Sequence, residues 1–273
     1  MAIYGNMHWL EVWGDLAGFF PPDAKVEGYS YPIITPSAAR NIFRAIYMNP
    51  YQFEWVALHI GLLSEPRYIG IKTNEFATER TRPELIPWSR VLDLIRGNPV
   101  DLSNSVVDHK SIRSQRNRYM LYKPRFLIAA RMRFWDEDAD ILKHEEMFRR
   151  RARNGQYARR PYLGLRELTA NFRYIEVGEV DEAVAEAIDF WSDSGKLRPP
   201  QDLGYMVYDP WDITVRPAIL PNGRVSRRNP KADSSPNRFK KFRAIIEAGW
   251  LTSSDLAGTE IPPILPQPEE LYK

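Results

Sequence analysis

The chain contains no cysteine. Disulfides, thiolate zinc sites, iron–sulfur clusters and cysteine nucleophiles are excluded together. No apolar run approaches the ~20 residues that a membrane-spanning helix needs. The start, Met1 to Leu10, carries Asn6 and His8 and lacks a basic stretch followed by an apolar one, so no secretory leader is expected. Nothing matches G-x-x-x-x-G-K-[ST] or G-x-G-x-x-G, so no phosphate-cradling loop is expected. The four histidines, His8, His59, His109 and His144, never fall at ligand spacing, and a lone histidine is more often structural than catalytic. The acidic run Asp136, Glu137, Asp138 and Asp140 fails as a calcium loop. Such a loop needs glycine and glutamate where this chain has Ile141 and Met147. Neither a metal nor a cofactor is expected, and a cytoplasmic protein is the simplest reading.

What is present is a folded composition over 273 residues, 44% hydrophobic, 27% charged and 12% aromatic. The net charge of +3 hides an asymmetry. Lys110 to Arg173 holds 17 basic and 7 acidic residues, and 14 of the bases are arginine, so the remainder is net acidic. Seven acids cannot pair with seventeen bases. This favours a surface for a polyanion over a solvated, salt-bridged face. Arginine forks match phosphate oxygens and stack on bases, which points to nucleic acid.

Hydrophobic patterning gives the element order. His8 to Trp13 alternates as a strand and ends at Gly14. Thr35-Pro36-Ser37 reads as a helix start, with Ala39, Ile42, Phe43 and Ile46 at helical spacing and Pro50 as the stop. Phe53 to Leu63 and Arg67 to Phe76 read as strands, Thr81 to Asp108 as a loop excursion, and Tyr119 to Trp135 as one strand-like stretch. Asp138 to Asn154 reads as a helix with arginines in its last turn and Gly155 beyond. Thr169 to Val177 alternates again. Without the excursion the order is strand–helix–strand twice, the split βαβ or ferredoxin-like pattern that RNA-recognition domains use. Beyond Gly178 come a helix (Val180 to Trp191) and strands at Tyr205 to Tyr208 and Thr214 to Leu220. A hairpin turn at Pro221 to Arg224, a last helix from Asn237 to Trp250 and a proline-rich tail complete the chain.

Three basic motifs stand out. Arg40, Arg44 and Tyr47 lie at i, i+4 and i+7, on one helix face that could lie along an RNA backbone. Spacing alone favours two solvated arginines and a half-buried tyrosine. Arg113, Arg116 and Arg118, with Gln115 between, suit phosphate contacts from a loop or strand end. Arg149, Arg150, Arg151 and Arg153, running into Gln156 and Tyr157, suit a single-strand RNA contact and exceed what dipole compensation needs.

Read together, these segments resemble the C or D subtype (type I-C) of the CRISPR-associated Cas-five family. The resemblance rests on Val12-Trp-Gly14, Tyr31-Pro-Ile-Ile-Thr-Pro-Ser-Ala-Ala-Arg40, Ala45-Ile-Tyr47, Asn74-Glu75 and Gln115-Arg116. Phe148 to Arg153 with Gly155-Gln156, Tyr162-Leu-Gly-Leu-Arg-Glu167 and Asp202-Leu-Gly-Tyr-Met206 complete it. It implies an α+β protein. Residues 1–178 would form a ferredoxin-like (RRM-like) domain, with 66–118 inserted as a hairpin and loop. Residues 179–273 would form a smaller β-rich domain with the terminal helix and tail.

The resemblance further implies a subunit of the Cascade surveillance complex, beside Cas-seven backbone and Cas-eight large subunits. Such a subunit holds the 5′ repeat-derived handle of crRNA and cuts pre-crRNA without metal, by 2′-hydroxyl attack. Tyr47 takes the catalytic position, with Arg44 as the cation beside it. Arg116 and Arg118 would stabilise the pentavalent phosphate. Arg40, Arg44, Asn74, Arg113, Gln115, Arg149, Arg150, Arg151, Arg153, Gln156 and Arg166 would contact RNA. The adjacent Lys-His pair of some processing members is replaced by Arg116-Asn117-Arg118. That departure favours the alternative of a non-catalytic subunit that caps the handle. In either role, affinity for repeat RNA falls as salt is raised, because released counterions dominate phosphate contacts. Binding that stays flat between low and moderate salt in a filter assay would remove 110–173 as the RNA surface.

Overall fold

The computed structural model describes residues 3–22, 28–76, 87–101, 113–193, 196–209, 216, 218–219, 225–226 and 240–253. The elements run β1 (Ile3–Trp13), β2 (Leu16–Ala17), β3 (Gly28–Tyr29), α1 (Pro36–Ile46), β4 (Phe53–Leu62), β5 (Tyr68–Phe76), α2 (Trp88–Ile95), β6 (Arg113–Tyr122) and β7 (Arg125–Phe134). They continue α3 (Ile141–Arg153), β8 (Asn171–Ile175), α4 (Val180–Phe190), β9 (Ser192–Asp193), β10 (Lys196–Leu197), β11 (Gln201–Asp209), β12 (Ala218–Ile219), β13 (Val225–Ser226), β14 (Lys240–Glu247) and β15 (Trp250–Thr252). His109, the Pro221–Arg224 turn and the tail 260–273 lie outside the described residues.

A seven-stranded sheet in the order β11-β14-β15-β4-β7-β1-β8 forms the centre. Side-chain alternation explains why its middle strands read as nearly continuous apolar runs. Along β7, Phe126, Ile128, Ala130, Met132 and Phe134 meet the core beneath α1 and α3. Leu127 and Ala129 point the other way, to a second cluster with Trp9, Val180, Val184, Ala187 and Trp250 under α4. β4 is buried at every position. The α1 start is as read: the Thr35 hydroxyl accepts the Ala38 N–H at 3.4 Å, and Pro36 opens the helix. At the α3 start, Asp140 accepts the Lys143 N–H at 3.1 Å.

A second sheet holds the excursion, with β5 paired to β6 and β2 and β3 flanking β6. Gly164, in the Leu-Gly-Leu-Arg-Glu segment, has φ +87°, and a Cβ there would lie 2.0 Å from the Gly18 carbonyl oxygen. That position therefore requires glycine on two counts.

Three expectations are corrected. The last helix, 237–250, is replaced across its described part by a strand, β14, in which Phe242, Ala244 and Ile246 are buried while Lys241 and Arg243 are exposed. Ala248 (φ 51°) and Gly249 (φ 83°) then turn the chain into β15, a hairpin that a helix cannot make. Tyr119 to Trp135 is two strands, β6 and β7, broken at Pro124 with Lys123 at φ 48°. The excursion, read as loop, contains α2.

The two arginines expected to face RNA from α1 lie inside the protein. Arg40 is 3% exposed and Arg44 5%. Arg40 Nε and Nη2 both reach Asp209 Oδ2 at 2.7 Å, and Nη1 lies 3.3 Å from Glu54 Oε1. Arg44 Nε lies 3.4 Å from the same Glu54 oxygen. Burial holds the Arg44 pKa below the usual arginine value, Glu54 opposes that, and the Arg40 charge adds to it. These contacts tie α1 to β4 and to β11. Removing one partner of a buried pair leaves a charge without compensation. Asp209→Ala therefore lowers stability by roughly 3 kcal/mol or more in urea unfolding, and an unchanged midpoint would refute the role of this network.

His8 is fully enclosed, its Nδ1 3.2 Å from the Tyr174 hydroxyl and its ring against Phe148 and Trp55. Burial, aided by the Arg149 charge, lowers its pKa from 6.5 to about 3. The unfolded chain thus takes up this proton first as pH falls. Stability is complete above the unfolded value and declines from about 6.5 toward about 3, by a few kcal/mol. A His8→Gln variant flattens that part of the stability–pH curve. The same slope in both proteins would assign the acid sensitivity elsewhere.

Candidate active site

Tyr47 caps the C-terminus of α1. Its own N–H still bonds to the Phe43 carbonyl, but φ −150° and ψ 130° turn the residue out of the helix. Its carbonyl accepts Trp55 Nε1–H at 2.8 Å. The phenol is thereby aimed at α3, where its oxygen lies 2.7 Å from His144 Nδ1 and 3.5 Å from Met147 Sδ. The Arg151 guanidinium sits over the Tyr47 ring at 5.1 Å and donates to the Ile46 carbonyl at 3.2 Å. Arg44, expected to supply this cation, faces Glu54 instead, and Arg151 takes its place.

The electrostatics assign roles within the pair. Burial pushes the Tyr47 phenol up, and Arg151 opposes it. Burial lowers the His144 pKa, Lys143 adds to that, and Asp140 opposes it. The imidazole is therefore neutral at pH 7, and in the tautomer that carries hydrogen on Nε2 its Nδ1 is able to accept the phenol proton. A neutral imidazole behind a phenol is a base with a relay in front of it. His144 escaped the sequence reading because its partner lies 97 positions away.

Around this pair the structure gathers part of the basic segment. The loop after α3 is fastened to the end of α1, with Ala158 and Arg159 N–H groups both donating to the Ala45 carbonyl. An open depression of about 380 Å³ is lined by Glu146, Met147, Arg150, Arg153 and Asn154, and shares Met147 with the Tyr47 hydroxyl. The arginines are not equivalent. Arg149 pairs with Glu146, and Arg153 holds Glu176 through two bonds of 2.6 and 2.7 Å. Arg150 is exposed without an ion pair among the described residues, and Gln156, Tyr157, Arg159, Arg160 and Arg166 are exposed.

The remaining expected residues lie in the second sheet. On β6, alternation sends Gln115, Asn117 and Tyr119 to one face and Arg116 and Arg118 to the other. Asn74 on β5 pairs across from Gln115. Arg113 opens β6 across from Phe76. Arg118 packs over the Phe20 ring at 5.1 Å. Arg116 and Arg118 thus belong to one sheet and Tyr47 to the helix layer of the other.

A family model described as CRISPR-associated protein (Cas_Cas5), of the Cas5d type, matches residues 9–253. The chain belongs to the Cas5 family. The CRISPR pre-crRNA endoribonuclease Cas5d of Mannheimia succiniciproducens is 34% identical over 204 residues, covering 73% of this chain and 83% of that protein. The protein of the same name from Thermus thermophilus is 34% identical over 164 residues, 60% of this chain and 62% of its own length. Among solved structures, a CRISPR-associated protein superposes with a TM-score of 0.55 at 16% identity, covering 96% of this chain and 97% of its own. A functionally uncharacterized protein from Streptococcus mutans follows at 0.51 and 17%, covering 95% and 97%. At these identities the structural likeness speaks for the fold alone: a mixed α+β chain with antiparallel sheets. This Cas5 chain also carries no described helix long and apolar enough to cross a membrane.

Proposed function

We propose that this Cas5 chain binds the repeat of a precursor CRISPR RNA, cuts it and keeps the 5′ handle as a Cascade subunit beside Cas-seven and Cas-eight type proteins. The observation that carries the cutting is the 2.7 Å contact between the Tyr47 hydroxyl and His144 Nδ1, with Arg151 over the ring. The names of the two relatives, pre-crRNA endoribonucleases, support the same reading. In this reading the RNA 2′-hydroxyl gives its proton to the Tyr47 oxygen as the phenol proton passes to His144 Nδ1. The 2′-oxygen then attacks the adjacent phosphorus, the bond to the 5′-oxygen breaks, and that oxygen takes a proton from solvent. The products are a 2′,3′-cyclic phosphate and a 5′-hydroxyl. Arg150, at the depression beside Met147, supplies charge for the phosphate. The strand order β8-β1-β7-β4, with α1 and α3 as connections, supports reading the N-terminal part as a split βαβ, ferredoxin-like unit.

A second reading, a subunit that caps the handle without cutting, is favoured by the 6% exposure of Tyr47 and the absent Lys-His pair. Incubation with repeat RNA in excess EDTA separates the two. Cutting by the wild type falls roughly 10²- to 10⁴-fold in Tyr47→Phe and in His144→Gln, while RNA affinity and the melting curve are retained. The wild-type rate also declines as pH drops and His144 takes up a proton, since a protonated ring cannot accept the phenol hydrogen. Cutting that survives in both variants moves the chemistry elsewhere. Tight binding without cutting leaves the capping role.

A further inference from the structure

The two sides of the excursion sheet differ around β3 and the middle of β6. On one side Arg118 lies over Phe20, whose ring occupies the space that a Cβ at Gly28 would need. On the other side three tyrosines stand together. Tyr29 stacks on Tyr68 with centroids 4.7 Å apart and lies 5.9 Å from Tyr119. Tyr29 is 55% exposed and Tyr119 46%. Gly70 lies across from Tyr119, close enough that an added Cβ would sit 3.4 Å from the edge of its ring, so the ring leans over the glycine.

The platform is fixed in place before any ligand arrives. The Tyr68 hydroxyl donates to the Ser30 carbonyl at 3.3 Å, and Ser30 N–H donates to the Tyr119 carbonyl at 3.0 Å. Continuing along the same face, Lys72 pairs across from Asn117 and Asn74 from Gln115, all exposed. Each carboxamide offers both a donor and an acceptor. No carboxylate is found among the described side chains of this face.

We propose that this face is a base-stacking platform for single-stranded RNA: Tyr29, backed by Tyr68, and Tyr119 take unpaired bases, and the carboxamides beyond them read base edges. It rests on the RNA-binding reading above and deepens it, because it divides the work between two surfaces. The arginines near α3 hold phosphate, and the excursion sheet holds bases. Stacked phenols with carboxamides and a lysine match bases and a polyanion.

The test uses the full chain, a short oligouridylate and an abasic strand of the same length. The wild type binds the oligouridylate more tightly than the abasic strand. Combined Tyr29→Ala and Tyr119→Ala weakens the oligouridylate roughly tenfold to a hundredfold and leaves the abasic strand unaffected. The slope of affinity against salt does not change, because no phosphate contact is removed. Tyr29→Phe with Tyr119→Phe keeps the wild-type affinity, since the rings remain. If the wild type binds and the alanine variant binds equally well, the platform is refuted and the face is assigned to a protein neighbour. If the wild type binds neither strand, the RNA-binding reading fails and the platform with it.

Discussion

Two arginines enclosed beneath a helix decide where Tyr47 points. Arg40 and Arg44 lie one turn apart on α1, and Tyr47 follows as its C-cap, so whatever fixes the rotation of the helix sets where Tyr47 leaves it. Glu54 from β4 and Asp209 from β11 fix the two arginines. A charged pair taken out of water gains little net stability, yet it is intolerant of displacement, because any shift leaves a charge unpaired. The helix is therefore held in one rotation and one register. With that rotation set, the residue that breaks out of the helix at its end delivers its phenol to His144. The same contacts bind the chain's C-terminal strands to its first helix, so the last part of the sequence helps to place a residue in the first fifth.

Much of the fold was legible because burial writes a period into the chain. Thr35-Pro36 marked the α1 start, and the alternation in β1 and β8 marked their faces. Where two periods coexist, the sequence is ambiguous. In 240–247 Phe242 and Ile246 fit a helix and Phe242, Ala244 and Ile246 fit a strand. Pairing with both β11 and β15, between which β14 lies, decided it, and no local pattern encodes those partners. Arg40 and Arg44 illustrate the same limit in charge: the spacing was read correctly, but burial depended on acids that arrive from two other strands. His144 illustrates it in chemistry. Ligand spacing is a local test, and the Tyr47–His144 pair is formed only when α1 and α3 pack together.

The excess of arginine between 110 and 173 also needs to be divided by structure. Arg125 and Arg173 both bind Glu11, Arg131 lies 3.8 Å over Tyr4, Arg133 sits 5.4 Å over Trp135, and Arg153 is held by Glu176. Guanidinium groups placed over rings and carboxylates in this way serve packing as much as field. Arg150, Arg159, Arg160 and Arg166 are the arginines of this segment that are exposed without an ion pair among the described residues.

That division bears on how a single RNA could be handled. Phosphate contacts are strong, long in range and indifferent to sequence, while stacking and edge contacts are short in range and selective. A protein that must recognise one repeat and position one bond needs both kinds, held at a fixed separation. In the reading proposed above they lie on different sheets: the arginine-rich end of α3 against the seven-stranded sheet, and the tyrosine face on the excursion. The sheets are joined by the shortest of links, the turn at Lys123-Pro124 between β6 and β7 and the Gly14-Asp15 step from β1 into β2. Lys123 N–H donates to the Asp15 carbonyl and Gly14 N–H to that of Pro124, so the two links are bonded to each other. In that reading a strand bound at both surfaces would be held by one frame, and a fixed separation between a reading surface and a cutting surface is what converts recognition of a sequence into selection of a bond.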